Sequence, residues 1–233
     1  MRTRFKAFFF GTALTVLIGT QGAIGQSANT DSKVSESAQA ARDLEAELRW
    51  FAQVLDHRFT SYFNQGRGDS DPEDSEPARP EPPDLSGSDS AYADFVKRHG
   101  FGWGERFTLV LTLVPELRPR LLDYFSLKNT AYDTYYTEFG GRRDAMGRYI
   151  PTGETVCFIL GGDDLKTRFE VMEMLGSEHL FAKLKVLGLS EPHRGGVSIR
   201  SPLVISPNFL RVFCGLSSGA AVPRRAGGEG ELP

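Results

Sequence analysis

Apolar side chains recur at steps of three and four along residues 43–64, which is the spacing of one face of an α-helix. Charged residues fill most of the positions between them. The apolar stripe consists of Leu44, Leu48, Phe51, Leu55, Phe59 and Tyr62, and the charged positions between are Glu45, Glu47, Arg49, Asp56 and Arg58. The pattern predicts one amphipathic helix over 43–64 with its aromatic-rich stripe in the core. Residues 26–42 are polar and alanine-rich, and we expect a loose lead-in there.

Four further segments show helix start and stop residues. SAYADFVKRHG predicts a short helix with Ser90 as N-cap and Gly100 after its end. GERFTLVLTLV predicts a mostly apolar helix, after which Pro115 and Pro119 start a turn into RLLDYF. Thr152 is the predicted N-cap of TGETVCFILGG. Asp163 and Asp164 are the predicted caps of LKTRFEVMEMLG, whose apolar face is formed by Leu165, Phe169, Met172 and Leu175.

The periodicity changes near the C-terminus. KVLGLS and VSIRSPLVIS alternate like strands, with the turn-forming EPHRGG between them, and Ser206 with Pro207 begins a last helix, PNFLRVFCG. Short helices followed by a two-stranded ribbon is the order of a winged-helix module. We therefore predict a mainly α fold with a small β-hairpin. A winged-helix-like domain over 89–215 would follow the long amphipathic helix, and a disordered tail would occupy 216–233.

The segment between the long helix and the winged-helix-like domain has an unusual composition. Residues 65–88 contain five prolines among acidic and small residues. Over residues 64–90, eight acidic side chains face only Arg67 and Arg79. We predict an acidic, proline-rich linker that cannot bury enough surface to order itself. The whole chain has a net charge of −3, which gives no general attraction to nucleic acid or anionic lipid.

The first 25 residues have the three parts of a secretory signal peptide. The basic start contains Arg2, Arg4 and Lys6, residues 7–18 are apolar, and a small-residue end precedes Gln26. This start predicts export to the periplasm or beyond. No segment is long and apolar enough to predict a stable membrane span.

Motifs for catalysis and for cofactors are not found in the sequence. There is no GxxxxGK[ST] phosphate loop, no GxSxG elbow and no metal-binding HExxH or CxxC pattern. The scattered histidines are His57, His99, His179 and His193. Cys157 and Cys214 lie in apolar runs and are expected to be buried, although one disulfide between them is open if the protein is exported. We expect no catalytic residues, no cofactor and no metal.

The stretch YYTEFGGRRDAMGRYIPTGET, residues 135–155, is the most distinctive part of the chain. Its glycines lack the lysine that a phosphate loop needs. We expect an ordered loop that leads into the helix capped by Thr152 and presents side chains to a protein partner. The candidate interaction residues are Glu138, Arg142, Arg143, Arg148 and Glu154. Glu138 and Glu154 could also form a carboxylate pair, but nothing in the sequence fixes their separation.

A winged helix raises the question of DNA binding, and the charges of its second helix argue against it. Lys166 and Arg168 are outnumbered by Asp163, Asp164, Glu170 and Glu173, so phosphates would be repelled. The predicted wing offers Lys183, Lys185, Arg194 and Arg200. We expect that the protein does not bind nucleic acid, and we favour a protein contact for the same surface.

Three blocks of the sequence resemble a bacterial family. They begin ELRWFAQVLDHRFTSYF, PPDLSGSDSAYADFVKRHG and YIPTGETVCFILGGDDL. The block LLDYFSLKNTAYDTYYTEFGG…IPTGETVCFILGGDDL is a specific match. The chain resembles, from about 44 to 214, the N-terminal region of AAA+ ATPases, including those encoded with extracellular contractile injection systems. The resemblance implies a non-catalytic, winged-helix-containing domain. The family continues into Walker A and Walker B motifs, for which this sequence has no counterpart.

Three hypotheses follow. The first is an accessory domain for protein contacts, whose partner would be an ATPase or an injection-system component in the cytoplasm. The second is an exported binding module that reuses this fold. The third is an enzyme that uses the 135–155 loop. We favour the first.

Overall fold

The computed structural model describes residues 27–64, 79–190 and 198–216. The predicted signal peptide lies outside these ranges, as do the EPHRGG turn and all but the first residue of the predicted C-terminal tail. Within the described ranges the protein is mainly helical, as predicted. The α-helices are α1 Ser27–Asn64, α2 Ala91–His99, α3 Trp103–Leu117, α4 Gly153–Leu160, α5 Leu165–Met174, α6 Leu180–Lys183 and α7 Pro207–Phe213. Short 3-10 helices cover Pro119–Ser126 and Thr137–Phe139.

Helix α1 begins earlier than the amphipathic pattern predicted. The expected loose lead-in over 26–42 is wrong, because the chain is helical from Ser27. Alanine-rich sequence has the highest intrinsic helix propensity, and a later part of the chain also covers this region. A Cβ atom on Gly215 would lie 2.8 Å from the Cα atom of Ser37. The predicted apolar stripe is buried from Leu44 to Phe59, and Tyr62 at its end is half-buried. The ring of Phe59 packs edge-on against Phe139 with centroids 4.9 Å apart.

The predicted helix caps are present. The Ser90 hydroxyl accepts a hydrogen bond from the Ala93 N–H at 3.1 Å, and Gly100 ends α2 with a left-handed φ of 62°. The Asp164 carboxylate accepts from the N–H groups of Lys166 and Thr167. Thr152 precedes α4 and Ser206 precedes α7, as predicted. These caps fix where each helix starts and so how the segments between them are oriented.

The structure contains more β-structure than the predicted hairpin. Three two-stranded antiparallel sheets lie within the described residues. The pairs are β1 Lys128–Asn129 with β2 Thr134–Tyr135, β3 Arg142–Arg143 with β4 Tyr149–Ile150, and β5 Leu187–Leu189 with β6 Leu203–Ile205. The third pair is the predicted ribbon. The first two pairs lie in the segment predicted as a loop, and two-residue strands are too short to show a period in sequence.

The second half of the predicted linker is packed against the helices. The carbonyl oxygen of Pro80 accepts hydrogen bonds from the indole N–H groups of Trp50 and Trp103, each at 2.9 Å. Leu85 is 6% exposed, and the Arg79 guanidinium lies 3.9 Å from the centre of the Trp103 ring. The linker prediction is therefore wrong for residues 79–88, because this segment supplies the acceptor for the indoles of the buried Trp50 and the half-buried Trp103. Residues 65–78 lie outside the description.

One apolar core joins α1 to everything that follows it. The buried cluster extends from Leu44 on α1 to Phe213 on α7 without a break at residue 89. Cys157 lies within this core, Cys214 is half-buried at its edge, and both are free thiols. Burial raises the pKa of Cys157 to about 11 and also raises the pKa of Cys214. No helix of the described ranges has a stretch both apolar enough and long enough to cross a bilayer.

The core also contains an ion pair. Glu47 is one of the charged positions between the apolar residues of α1, which an amphipathic helix would expose, but it is fully buried. Its Oε1 accepts a hydrogen bond from Nε of Arg106 at 2.7 Å and a second from Nη2. The same Arg106 nitrogen donates to the Pro83 carbonyl oxygen at 2.6 Å. Burial raises the pKa of Glu47, and the neighbouring Arg106 opposes that shift.

Candidate functional site

Three of the five candidate interaction residues line one cleft. Glu138, Arg142 and Glu154 meet at a cleft of about 720 Å³ between the 135–142 segment, the start of α4 and α5. Two arginines from later in the sequence join them. These are Arg168, from α5, and Arg200, from the turn before β6. We call this the arginine cleft.

A bidentate ion pair connects two walls of the arginine cleft. The two terminal nitrogens of Arg168 donate to the two carboxylate oxygens of Glu154, each at 2.6 Å. This parallel arrangement is the geometry that a planar guanidinium favours with a carboxylate. The hydrogen bonds to Glu154 raise the pKa of Arg168. The pair therefore fixes α5 against the first turn of α4 and leaves Glu154 satisfied.

Two glycines allow the backbone to form the opposite wall. Gly140 and Gly141 have φ values of +62° and +76°, a region that side chains disfavour. A Cβ atom on Gly140 would lie 2.6 Å from the Cβ of Glu154, and one on Gly141 would lie 2.2 Å from the ring of Tyr149. The paired glycines of the sequence are therefore required for close packing against α4 and Tyr149, not for cradling a phosphate.

Buried hydroxyl groups hold this wall in place. The Tyr149 hydroxyl donates to the Phe139 carbonyl oxygen at 2.7 Å and lies 2.8 Å from Oγ1 of Thr155. Oγ1 of Thr152 accepts from the N–H of Gly141 at 3.0 Å. Burial raises the pKa of Tyr149, so its hydroxyl stays protonated and able to donate. The PTGET run thus supports the cleft through its threonine hydroxyls.

The remaining charges of the cleft come from different parts of the chain. Burial and then the nearby Glu138 carboxylate raise the pKa of the Tyr62 hydroxyl. The N–H of Glu154 donates to the Ile199 carbonyl oxygen at 2.7 Å, which places Arg200 at the rim. Among the residues that the structure describes, no carboxylate lies within ion-pair distance of Arg200.

Arg143 and Arg148 do not join the cleft. Arg143 lies over the ring of Tyr135, 4.1 Å from its centre, and donates to the Gly147 carbonyl oxygen at 3.1 Å. Nε of Arg148 donates to Asp144 at 2.7 Å, and its side chain is 74% exposed. Both arginines stabilise the β3–β4 hairpin. Whether they also contact a partner stays a prediction.

Helix α5 has a second distinctive surface. Leu165, Phe169 and Met172 lie at helical spacings of four and three, and they are 64%, 59% and 40% exposed. The core side of the same region is formed by Val171 and Leu175, which are buried. The four apolar residues predicted to share one face are therefore divided, with three exposed to solvent and Leu175 in the core. We call the three exposed side chains the α5 stripe.

The surroundings of the α5 stripe are acidic. Asp163, Asp164, Glu170 and Glu173 border it. Of the two cations on the helix, Lys166 lies 3.7 Å from Glu170, and Arg168 is bound by Glu154. An apolar surface with an acidic border favours a ligand with an apolar face and basic flanks.

Two titratable groups near these surfaces have defined environments. Burial raises the pKa of Cys157, and Arg168 binds the carboxylate of Glu154. In the described ranges, no group of three or more histidine, cysteine, aspartate or glutamate side chains is placed to bind a metal ion. The sequence places Arg168 and Arg200 in other elements, and it does not predict their position in the cleft because both lie beyond the 135–155 stretch. No family model matches the chain, and no curated protein or solved structure proves similar to it.

Proposed function

We propose that this chain is a non-catalytic protein-interaction module and that the α5 stripe is the surface where its partner binds. The observation on which the proposal depends is the exposure of Leu165, Phe169 and Met172 on one face of a helix. Large apolar side chains scattered singly over a surface need no explanation, but three at helical spacing on one face favour an interaction site. An amphipathic helix of a partner recognises such a surface through its own apolar face.

The charge around the stripe supports a protein partner of stated chemistry. Four acidic residues border it, so the complementary ligand is an apolar helical segment flanked by lysine or arginine. The same acidic border would repel the phosphates of a nucleic acid. We therefore assign the partner as a protein with a basic amphipathic helix.

A winged-helix-like arrangement of the domain is part of this proposal. The order of α4, α5 and α6 followed by the β5–β6 pair supports a winged-helix-like arrangement. In that arrangement α5 takes the place of the second helix, the one that enters the DNA major groove in DNA-binding members. The resemblance to the N-terminal region of AAA+ ATPases also supports a non-catalytic domain for protein contacts. An ATPase or an injection-system component is the partner that this resemblance implies.

Site-specific photocrosslinking in the native host tests the proposal. A benzophenone amino acid in place of Phe169 should give a discrete adduct with one protein. The crosslinked peptide, identified by mass spectrometry, should be an amphipathic segment with basic residues. The matched control places the same amino acid at Tyr132, which is 77% exposed on the β1–β2 turn and distant in sequence from α5. That position should not give the adduct.

The outcomes separate the alternatives. Leu165→Ser and Met172→Ser, introduced together into the protein with the benzophenone at position 169, should abolish the adduct. They should change its free energy of unfolding by at most about 0.5 kcal/mol, because the replaced side chains are exposed. An adduct with a second copy of the chain or with nucleic acid would contradict the proposal. So would the same adduct from position 132, or no adduct at position 169.

A further inference from the structure

A second surface of the molecule has the features of a binding site, and it does not depend on the α5 stripe. The arginine cleft has a volume of about 720 Å³, against about 340 Å³ for each of two other cavities. This volume falls in the range of sites that bind small molecules or a few residues of a peptide. Its walls come from four separate parts of the chain, so it exists only in the folded protein.

The charge of the cleft favours an anionic ligand. Arg142, Arg168 and Arg200 line it together with two carboxylates, Glu138 and Glu154. Glu154 is bound by Arg168. Three guanidinium groups face two carboxylates, so these five side chains together carry a net charge of +1. A cleft lined by an excess of one charge concentrates ligands of the opposite charge.

Arginine restricts the kind of anion. A guanidinium has five N–H donors in a rigid plane, and that plane matches the two oxygens of a carboxylate. Arg168 uses one donor on each terminal nitrogen for Glu154, so it retains donors for a second oxyanion. The exposed ring of Tyr135 at the same cleft offers apolar contact for the rest of a ligand. Several carboxylates spaced along an extended chain fit these features.

We propose that the arginine cleft binds an acidic peptide segment of a protein partner through its carboxylates. Arg200 and Arg142 contact the peptide directly. Arg168, held in place by Glu154, forms the floor between them. The glycine wall at Gly140 and Gly141 is a positioning element, because it keeps the 135–142 backbone close to α4 and so keeps Arg142 on the same cleft as Arg168.

Fluorescence anisotropy with synthetic peptides tests the proposal. The probe is a fluorescein-labelled eight-residue peptide of alternating Glu and Ser, and its control has Gln in place of each Glu. The Glu peptide should bind and the Gln peptide should not. Arg200→Gln should weaken binding by about fivefold, which is the upper range for one exposed ion pair. Arg142→Gln combined with Arg200→Gln should weaken it by tenfold or more.

A charge-matched control separates a specific site from general attraction. Arg98 is exposed on α2 and does not line the cleft, so Arg98→Gln removes one positive charge without changing the site. This variant should bind the Glu peptide like the wild type. Equal weakening by Arg98→Gln and Arg200→Gln would contradict the proposal, and so would equal binding of the two peptides.

The source of the anion is tested by competition. Inorganic phosphate and acetate, each at 10 times the protein concentration, should not displace the Glu peptide, because each is a single small anion and the peptide carries several carboxylates. Complete displacement by either ion would indicate a small-anion site and overturn the assignment to a peptide. Circular dichroism of each variant confirms that the fold is intact. Arg168→Gln is avoided because it would leave the Glu154 carboxylate without its partner.

Discussion

Glu47 and Arg106 belong to helices α1 and α3, and their side chains form an ion pair in the core, with 0% and 10% of the two side chains exposed. The second oxygen of Glu47 and the hydroxyl of Tyr92 are buried beside this pair, and the Glu47 carboxylate contributes to raising the pKa of Tyr92. The pair thus connects the first helix to the body of the fold. Such a pair costs much more to break than to replace as a unit.

The first prediction tests this pair. Arg106→Met or Glu47→Leu alone should lower the free energy of unfolding by about 3–5 kcal/mol, since each leaves one charge buried without its partner. The double variant should lose less than the sum of the two single variants, and it should be more stable than either. Urea unfolding of the four proteins measures this double-mutant cycle. Additive losses would show that the two side chains are not coupled.

The second prediction concerns the glycine wall. Gly141→Ala places a Cβ atom 2.2 Å from the Tyr149 ring in a left-handed conformation, whereas Gly147→Ala has a similar φ of +79° and open space around it. The conformation costs roughly 1–2 kcal/mol at either position, and the collision adds about 1–3 kcal/mol at Gly141 alone. Thermal unfolding should therefore rank the wild type first, Gly147→Ala second and Gly141→Ala last. Equal losses in the two variants would contradict the packing.

The third prediction tests the packing of residues 79–88. Leu85→Ala should lower the free energy of unfolding by about 2–5 kcal/mol, because Leu85 is 6% exposed and its loss leaves a cavity. The control Glu81→Ala, at an exposed position of the same segment, should change stability by at most about 0.5 kcal/mol. A disordered linker would instead give two variants with the stability of the wild type.

The fourth prediction concerns the thiols. At pH 8, Cys157 in the folded protein should react with iodoacetamide about a hundredfold more slowly than in the unfolded protein, because burial raises its pKa to about 11. Since the folded pKa is raised, the stability gained from the protonated thiol is complete below the ordinary pKa near 9 and is lost as pH rises towards 11.

Mass spectrometry of the alkylated peptides measures both cysteines in one experiment. Cys214 is half-buried and serves as the internal control, with an intermediate rate. As pH rises from 9 to 11, the free energy of unfolding of the wild type should fall relative to that of Cys157→Ala. Fast modification of Cys157 at pH 8 in the folded protein would contradict its burial.

Local patterns in the sequence predicted the elements that depend on local interactions. The stripe from Leu44 to Tyr62 gives a helix because its period alone determines which face is buried. Ser90, Thr152 and Asp164 mark helix starts because an N-cap acts within three residues of itself. The β5–β6 pair was also predictable, since its strands alternate and end at turn residues.

The candidate site could not be predicted in the same way, because it is assembled by contacts between distant parts of the chain. Glu47 has the spacing of an exposed residue, and only its meeting with Arg106 makes its burial possible. Arg168 lies on α5, and its side chain lines the arginine cleft because it forms an ion pair with Glu154 on α4. The exposure of Phe169 has the same origin, because Val171 and Leu175 take the core positions of that helix.

The hydrogen bonds to the Pro80 carbonyl oxygen have an optical consequence. The chain contains two tryptophans, Trp50 and Trp103, and both indoles donate to this one oxygen, with their rings 5.4 Å apart and nearly perpendicular. The tryptophan fluorescence of the protein therefore originates at a single joint between α1, residues 79–85 and α3. Its emission reports whether that joint is closed, and changes in distant parts of the molecule leave it unaltered.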